Sequence, residues 1–256
     1  MKTQFKSIAN TLLLLFAAAL LPFQSHAQTP KIKNVVLVHG AFADGSGWRG
    51  VHDILVKKGF KVTIVQEPLT SLEADVEATK RALDKQDGPS VLVGHSWGGV
   101  IISEAGVHQN AAALVFVAAH QPDQGENTLQ WATSAPVAPE NGILAPDEKG
   151  FVYYDQEKFH AGFCADVNKA DAAFMYASQK PIYGPAFLTK LTAAAWRTKP
   201  SYAIVATEDK SINPDTERRL YKRSNSKTTE IKGSHVIFIS HPDAVAKVII
   251  EAAEGK

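Results

Sequence analysis

Cysteine is nearly absent. Cys164 is the single one, so no disulfide can close within the chain even in an oxidising compartment, and a small buried apolar role is the expectation for it. Neither sign of charge dominates: 27 Lys and Arg stand against 26 Asp and Glu, a formal charge of +1, and no basic run is present. That balance argues against nucleic acid as a partner. There is no H-E-x-x-H pair and no paired-carboxylate pattern, so no metal site is expected. Beyond the first 27 residues there is no second long apolar run, which excludes a further membrane segment from the expectation. Internal repeats and low-complexity tracts are missing too.

What is present begins with a leader. Met1 to Lys6 carries two lysines, Thr11 to Leu21 is almost entirely Leu, Phe and Ala, and Ser25-His26-Ala27 offers small residues flanking a cleavage point. This is the layout of a secretory signal peptide, and the apolar run is short for a transmembrane anchor. The expectation is removal of residues 1–27, leaving 28–256 as one periplasmic or secreted domain with no membrane association. Losing Lys2 and Lys6 would take the formal charge from +1 to −1. The remaining length suits one domain with a full core.

Along that domain, short β-branched runs alternate with amphipathic stretches. Val35 to Val38 is continuously apolar, as a strand buried on both faces must be. Trp48, Val51 and Leu55 recur at helical spacing and stop at Gly59. Lys61 to Val65, Ser90 to Val93, Ala112 to Ala118, Tyr202 to Ala206 and Thr228 to Ile231 read as further strands. Helices are expected through Leu72, Val76 and Leu83, from Gly98 to about His108, from an Asn213 cap with Pro214 in the first turn, and from Ser240 with Asp243 as caps to the C-terminus. Strands alternating with helices give an α/β fold with a mostly parallel sheet. Between about residues 121 and 198 prolines and aromatics break the rhythm. A stretch so long and so apolar is no loop, so an inserted helical cap is expected there.

The chemistry concentrates at Gly94-His95-Ser96-Trp97-Gly98. Gly-x-Ser-x-Gly between a strand and a helix places the serine on a strained turn, with Gly94 and Gly98 where side chains would clash, at the carboxyl edge of the sheet. A serine hydroxyl needs a base to take its proton. His235, after the last strand, is so placed; His241 is the rival, though it falls at the start of the final helix beside Pro242. The base needs a carboxylate to orient it. Asp209 follows the strand from Tyr202 and completes the order Ser, Asp, His, with Glu208 or Asp123 as alternatives. An oxyanion would be met by the Trp97 N–H, next to the serine, and by the Ala41 N–H after Val38-His39-Gly40.

Gly45-Ser46-Gly47-Trp48-Arg49-Gly50 spells G-x-G-x-x-G with Glu67 about 20 residues on. His39 to Asp44 separate it from the strand, however, whereas a dinucleotide fingerprint hugs the strand end, so it is read as a decoy. His39 and His95 are expected to support the oxyanion loop and the turn by hydrogen bonds. His52, His108 and His160 are expected at the surface or at helix ends, and His120 ends a strand near the site.

With these residues in place the chain resembles the α/β-hydrolases over essentially all of residues 28–256. More narrowly it resembles the branch of small bacterial esterases, plant methyl-ester esterases and hydroxynitrile lyases. The matching stretches are Val35 to Ala41, Val93 to Gly99, Asp209 to Pro214, and Gly233-Ser234-His235 followed by Pro242. The resemblance implies Ser96, Asp209 and His235 as a catalytic triad, Ala41 and Trp97 as oxyanion donors, and no metal or organic cofactor. The lyases carry threonine where this chain has Gly40, and lysine after the catalytic histidine where it has Val236; both positions favour ester hydrolysis. The expectation is a serine hydrolase cleaving small to medium carboxylic esters, its partner a small-molecule ester. Lactone or amide hydrolysis or a lyase step on the same triad, cofactor-independent oxygenation of a heteroaromatic, and a non-catalytic ligand-binding protein are the alternatives.

Overall fold

A computed structural model describes residues 32–256, so the expected signal peptide lies outside the described residues. Eight strands are present among them: β1 Asn34–Val38, β2 Lys61–Ile64, β3 Ser90–His95, β4 Ala111–Val117, β5 Phe151–Val152, β6 Ile182–Tyr183, β7 Ser201–Ala206 and β8 Lys227–Ile231. The helices are α1 Arg49–Lys57, α2 Leu72–Asp84, α3 Trp97–Ala105, α4 Thr128–Ala132, α5 Gln156–Phe163, α6 Lys169–Ala177, α7 Pro214–Arg223, α8 Ile237–Ser240 and α9 Pro242–Glu254. None is long and apolar enough to cross a membrane.

Six strands form one parallel sheet in the order β2-β1-β3-β4-β7-β8. Every residue of β1 and of β3 is buried, which is why their sequences run apolar without alternation. The outermost strands β2 and β8 are partly exposed and carry Lys61 and Lys227, charges that discourage edge-to-edge pairing. Helix α1 packs with α9, and α2 with α3, giving helical layers on the sheet. The chain winds outward from β1 to β2 and then back past β1 to β3, so the strand order reverses between β1 and β3. Open α/β sheets place ligands at such a switch point, outside the carboxyl ends of the strands.

The helix ends follow local chemistry. Ser71 caps α2 by accepting from the Ala74 N–H at 3.1 Å, with Glu73 and Asp75 in the favourable first turn. Asn213 caps α7 with Pro214 in its first turn, as its sequence predicts. The start of α9 differs from expectation. Ser240 ends α8 and its hydroxyl donates to Asp166 at 2.8 Å, so the N-cap position falls to His241, which makes no side-chain capping bond. A hydroxyl captured by a distant carboxylate is invisible to a cap motif read from neighbours alone.

Residues 121–198 hold more than helices. Besides α4, α5 and α6 they contain the antiparallel pair β5–β6 and short 3₁₀ turns at Gly184–Leu188 and Ala195–Arg197. Tyr154, Phe159 and Phe163 form a cluster with ring centroids 4.9–5.5 Å apart, joined by Phe42 from the loop after β1. This segment therefore packs as part of the same core rather than as a separate body.

Candidate active site

Parallel strands deliver the candidate residues to one edge. Ser96 follows β3, Gly40 and Ala41 follow β1, Asp209 follows β7, and His235 follows β8. Ser96 has φ 53° and ψ −117°, a conformation that a non-glycine residue adopts only where the surroundings hold it. What holds it is close packing. A Cβ on Gly94 would lie 2.3 Å from the Gly98 carbonyl oxygen, and one on Gly98 would lie 2.7 Å from the Val38 carbonyl oxygen. Both glycines are thus dictated by the turn, and a Cβ on Gly40 would strike Ser96 Cβ at 2.7 Å, so the loop after β1 sits directly against the serine.

The structure brings Ser96, His235 and Asp209 into a chain. Ser96 Oγ is 2.8 Å from His235 Nε2, and His235 Nδ1 is 2.6 Å from Asp209 Oδ2. His235 and Asp209 are almost entirely buried. The short contact to a carboxylate assigns the proton to Nδ1, which leaves the Nε2 lone pair facing the serine hydroxyl. Asp209 Oδ1 accepts the Ser211 and Ile212 N–H groups at 2.7 and 2.9 Å, so two backbone donors fix the orientation of the carboxylate. The two rival carboxylates go elsewhere: Glu208 pairs with Lys232, and Asp123 with Arg197. His241 turns to Ser240 at 2.9 Å.

Trp97 opens α3, where an N–H has no intrahelical acceptor. Among the described residues neither the Ala41 nor the Trp97 N–H has a backbone or side-chain acceptor. Two free amides flank the serine, one of them at a helix N-terminus, a setting that favours negative charge.

The supporting histidines are neutral. His39 Nδ1 donates to the Gly40 carbonyl at 2.8 Å while its Nε2 accepts from the Glu67 N–H at 2.9 Å, a pattern only the uncharged ring can make. Burial pushes its pKa down to about 4. His95 Nε2 donates to the His235 carbonyl at 2.9 Å, and its ring lies 4.7 Å from that of His235, fixing the main chain of His235. Burial holds the His95 pKa well below the usual range. His52, His108 and His160 engage Asp53, Asp84 and the Val167 carbonyl.

Three supports lie outside the sequence reading. Asp75 accepts the Trp97 indole N–H at 2.8 Å and the Leu69 N–H at 2.7 Å, anchoring the side chain of an oxyanion candidate. Glu67, fully buried, accepts from Thr79 Oγ1 at 3.1 Å. Asp75 and Thr79 fall on the same helical stripe as Leu72 and Leu83, so polar residues on an apolar face were the available signal. The third is Asp166, between α5 and α6, which accepts from the Ser234 N–H at 2.8 Å and so ties the 121–198 segment to the His235 loop. The glycines of the G-x-G-x-x-G stretch pack under protein atoms instead: a Cβ on Gly47 would meet Phe238, and one on Gly50 Pro242.

A cavity of about 140 Å³ opens over Ser96 and His235, walled by Ala41, Phe42, Trp97, Leu129, Phe163 and Phe187. His120 also lines it. That ring is buried, its Nε2 has no partner, and burial pushes its pKa down to about 4. A second cleft of about 340 Å³ adjoins across His120, Ala132, Ser211 and Ile212. No group of three His, Cys, Asp or Glu that could hold a metal occurs among the described residues.

A family model described as Alpha/beta hydrolase family matches residues 35–248. The chain is 25% identical over 243 residues to Alpha/beta hydrolase nvfD of Aspergillus novofumigatus (strain IBT 16806), covering 86% of this chain and 96% of that protein. Among solved structures it is similar to polyneuridine aldehyde esterase, with a TM-score of 0.74, 17% identity, and 86% and 98% of the two chains covered. It is also similar to a pyrethroid hydrolase from Sphingobium faniae JZ-2, with a TM-score of 0.72, 20% identity, and 87% and 98% covered. An extracellular alpha/beta-hydrolase from a Paenibacillus species gives a TM-score of 0.71 at 19% identity, with 86% and 98% covered. At these identities the likeness to the solved structures is one of fold.

Proposed function

The chain belongs to the alpha/beta hydrolase family, and from that premise we propose that it is a serine-dependent carboxylic-ester hydrolase working through an acyl-enzyme on Ser96. The observation that carries this reading is the continuous chain from Ser96 Oγ through His235 to Asp209, with contacts of 2.8 and 2.6 Å. His235 Nε2 accepts the hydroxyl proton as Ser96 Oγ bonds to the ester carbonyl carbon. Asp209 then steadies the imidazolium without taking its proton. The carbonyl oxygen, now negative, accepts from the Ala41 and Trp97 N–H groups, each such donor lowering the barrier by about 3 kcal/mol. The tetrahedral centre collapses, the C–O bond to the alcohol breaks, and His235 returns the proton to the departing oxygen. Water repeats the sequence on the acyl-enzyme and frees the acid.

The cavity wall supports a small to medium ester with an apolar group. It is mostly aromatic and aliphatic, and its volume is small beside the roughly 300–1,000 Å³ of pockets that take drug-sized ligands. Gly40 and Val236 favour hydrolysis over a lyase step. Val236 is buried and brings no cation next to His235, so it offers nothing to a departing cyanide. The reading of residues 1–27 as a cleaved signal, and of the protein as periplasmic or secreted, belongs to the same proposal; N-terminal sequencing of the exported protein tests it.

Hydrolysis of p-nitrophenyl acetate and butyrate by the wild type and by Ser96→Ala tests the reaction. The mutant should lose about 10⁴-fold or more in kcat, the loss expected when the nucleophile of a triad is removed. A mutant as active as the wild type, or a wild type inert toward both esters, would count against it.

A further inference from the structure

We propose that Asp166 is a positioning residue for His235: its carboxylate holds the Ser234 N–H and hydroxyl, and so keeps the imidazole aimed at Ser96. The proposal rests on the ester-hydrolase reading of the same site and makes the 121–198 segment a support of its base.

His235 follows β8, the outermost strand, which has a hydrogen-bonded neighbour on one side only. The sheet therefore does little to immobilise the loop that leaves it, yet a general base must stay within about 3.2 Å of the group it deprotonates. Contacts from other elements hold that loop. The Glu208 N–H donates to the Gly233 carbonyl at 3.0 Å, and His95 Nε2 donates to the His235 carbonyl at 2.9 Å. Asp166 secures the residue between them: Oδ2 accepts the Ser234 N–H at 2.8 Å, and Oδ1 accepts the Ser234 hydroxyl. Ser240 Oγ, at the end of α8, donates to Oδ2 at 2.8 Å. The approach is close enough to exclude a side chain at Gly233, where a Cβ would lie 2.8 Å from Asp166 Oδ2.

Asp166 is itself fixed. It lies in the short loop between α5 and α6, where His160 Nε2 donates to the Val167 carbonyl at 2.8 Å and the Val167 N–H donates to the Cys164 carbonyl at 3.0 Å. Phe163, just before that loop, sets its ring 5.2 Å from the His235 ring. The segment thus meets the base twice, through a carboxylate on the main chain and through an aromatic ring on the imidazole. Partial burial would raise the Asp166 pKa, but the Ser234 hydroxyl and N–H and the Ser240 hydroxyl outweigh it and hold the carboxyl below its usual range. As a carboxylate it can only accept, which matches the three donors around it. Without it the main chain before His235 is held only at Gly233. A misplacement of about 1 Å at a reacting group can cost about 100-fold in rate.

Two variants separate positioning from an effect of charge. Asp166→Asn loses the charge and keeps the shape: its oxygen can accept the Ser234 N–H while its amide donates to the Ser234 hydroxyl oxygen. Asp166→Ala loses every contact. With p-nitrophenyl butyrate, the asparagine variant should keep at least about a third of wild-type kcat, while the alanine variant falls about tenfold or more with KM little changed. Expressing kcat per folded molecule, from circular dichroism, removes any contribution from lost stability. A second readout needs no turnover. The His235 Nδ1 proton, shared with Asp209 over 2.6 Å, should give a far-downfield proton NMR resonance in the wild type and in Asp166→Asn that broadens or vanishes in Asp166→Ala. An alanine variant as active as the wild type, an asparagine variant as impaired as alanine, or an unchanged resonance in Asp166→Ala would each overturn the proposal. If esters are not hydrolysed, the reading of the reaction fails while the resonance still decides whether Asp166 positions His235.

Discussion

Replacing Glu67 by glutamine should change the pH dependence of stability in a direction fixed by burial. Glu67 is joined to the loop after β1 through its N–H bond to His39, and its carboxyl is closed off from water. Burial, then repulsion from Asp75, push its pKa from 4.5 up to about 9. From pH 4.5 to 9 the folded state thus holds one proton more than the unfolded state. Stability falls as pH rises through this window, by up to about 1.4 kcal/mol per unit, and this penalty is absent only below the unfolded pKa. Integrated from pH 5 to pH 8, the loss is about 4 kcal/mol. Glutamine does not titrate, and its amide oxygen can still accept from Thr79. Urea unfolding of both proteins at the two pH values gives the comparison, because every other titrating group is shared. The stability of Glu67→Gln relative to wild type should rise by about 4 kcal/mol between pH 5 and pH 8. Parallel pH profiles for the two proteins would refute a neutral Glu67.

Asp209→Asn keeps the shape of the acid but loses the charge that assigns the Nδ1 proton, so kcat for p-nitrophenyl butyrate should fall by about 10⁴ with the circular dichroism spectrum unchanged. Trp97→Phe removes the indole donor from buried Asp75, and urea unfolding should register a loss of about 1–3 kcal/mol. Gly40→Ala places a methyl 2.7 Å from Ser96 Cβ; steady-state kinetics should show kcat reduced by about 100-fold or more as the loop after β1 is pushed off the serine.

Much of the fold was legible because its signals are local. Continuous apolar runs marked β1, β3, β4 and β7, and Asn213-Pro214 marked the start of α7 within a residue of where it lies. Ser96, Asp209 and His235 could be named because each follows a strand, and parallel strands carry such residues to one edge. The supports were harder to see. Asp75 carries no motif of its own, yet it lies on the buried stripe of α2 and holds Trp97. Ser240 read as a helix cap until Asp166, 74 residues away, took its hydroxyl. Long-range pairing of polar groups leaves no periodic trace in a sequence.

The proposed reaction requires that Ser96 become acylated during turnover. Rapid acid quench of the wild type with p-nitrophenyl butyrate, followed by peptide mass mapping, tests it most directly. A butyryl adduct is expected on the peptide holding Ser96, formed within the first turnover and missing from Ser96→Ala. Steady ester turnover in Ser96→Ala, or an adduct confined to another residue, would contradict it.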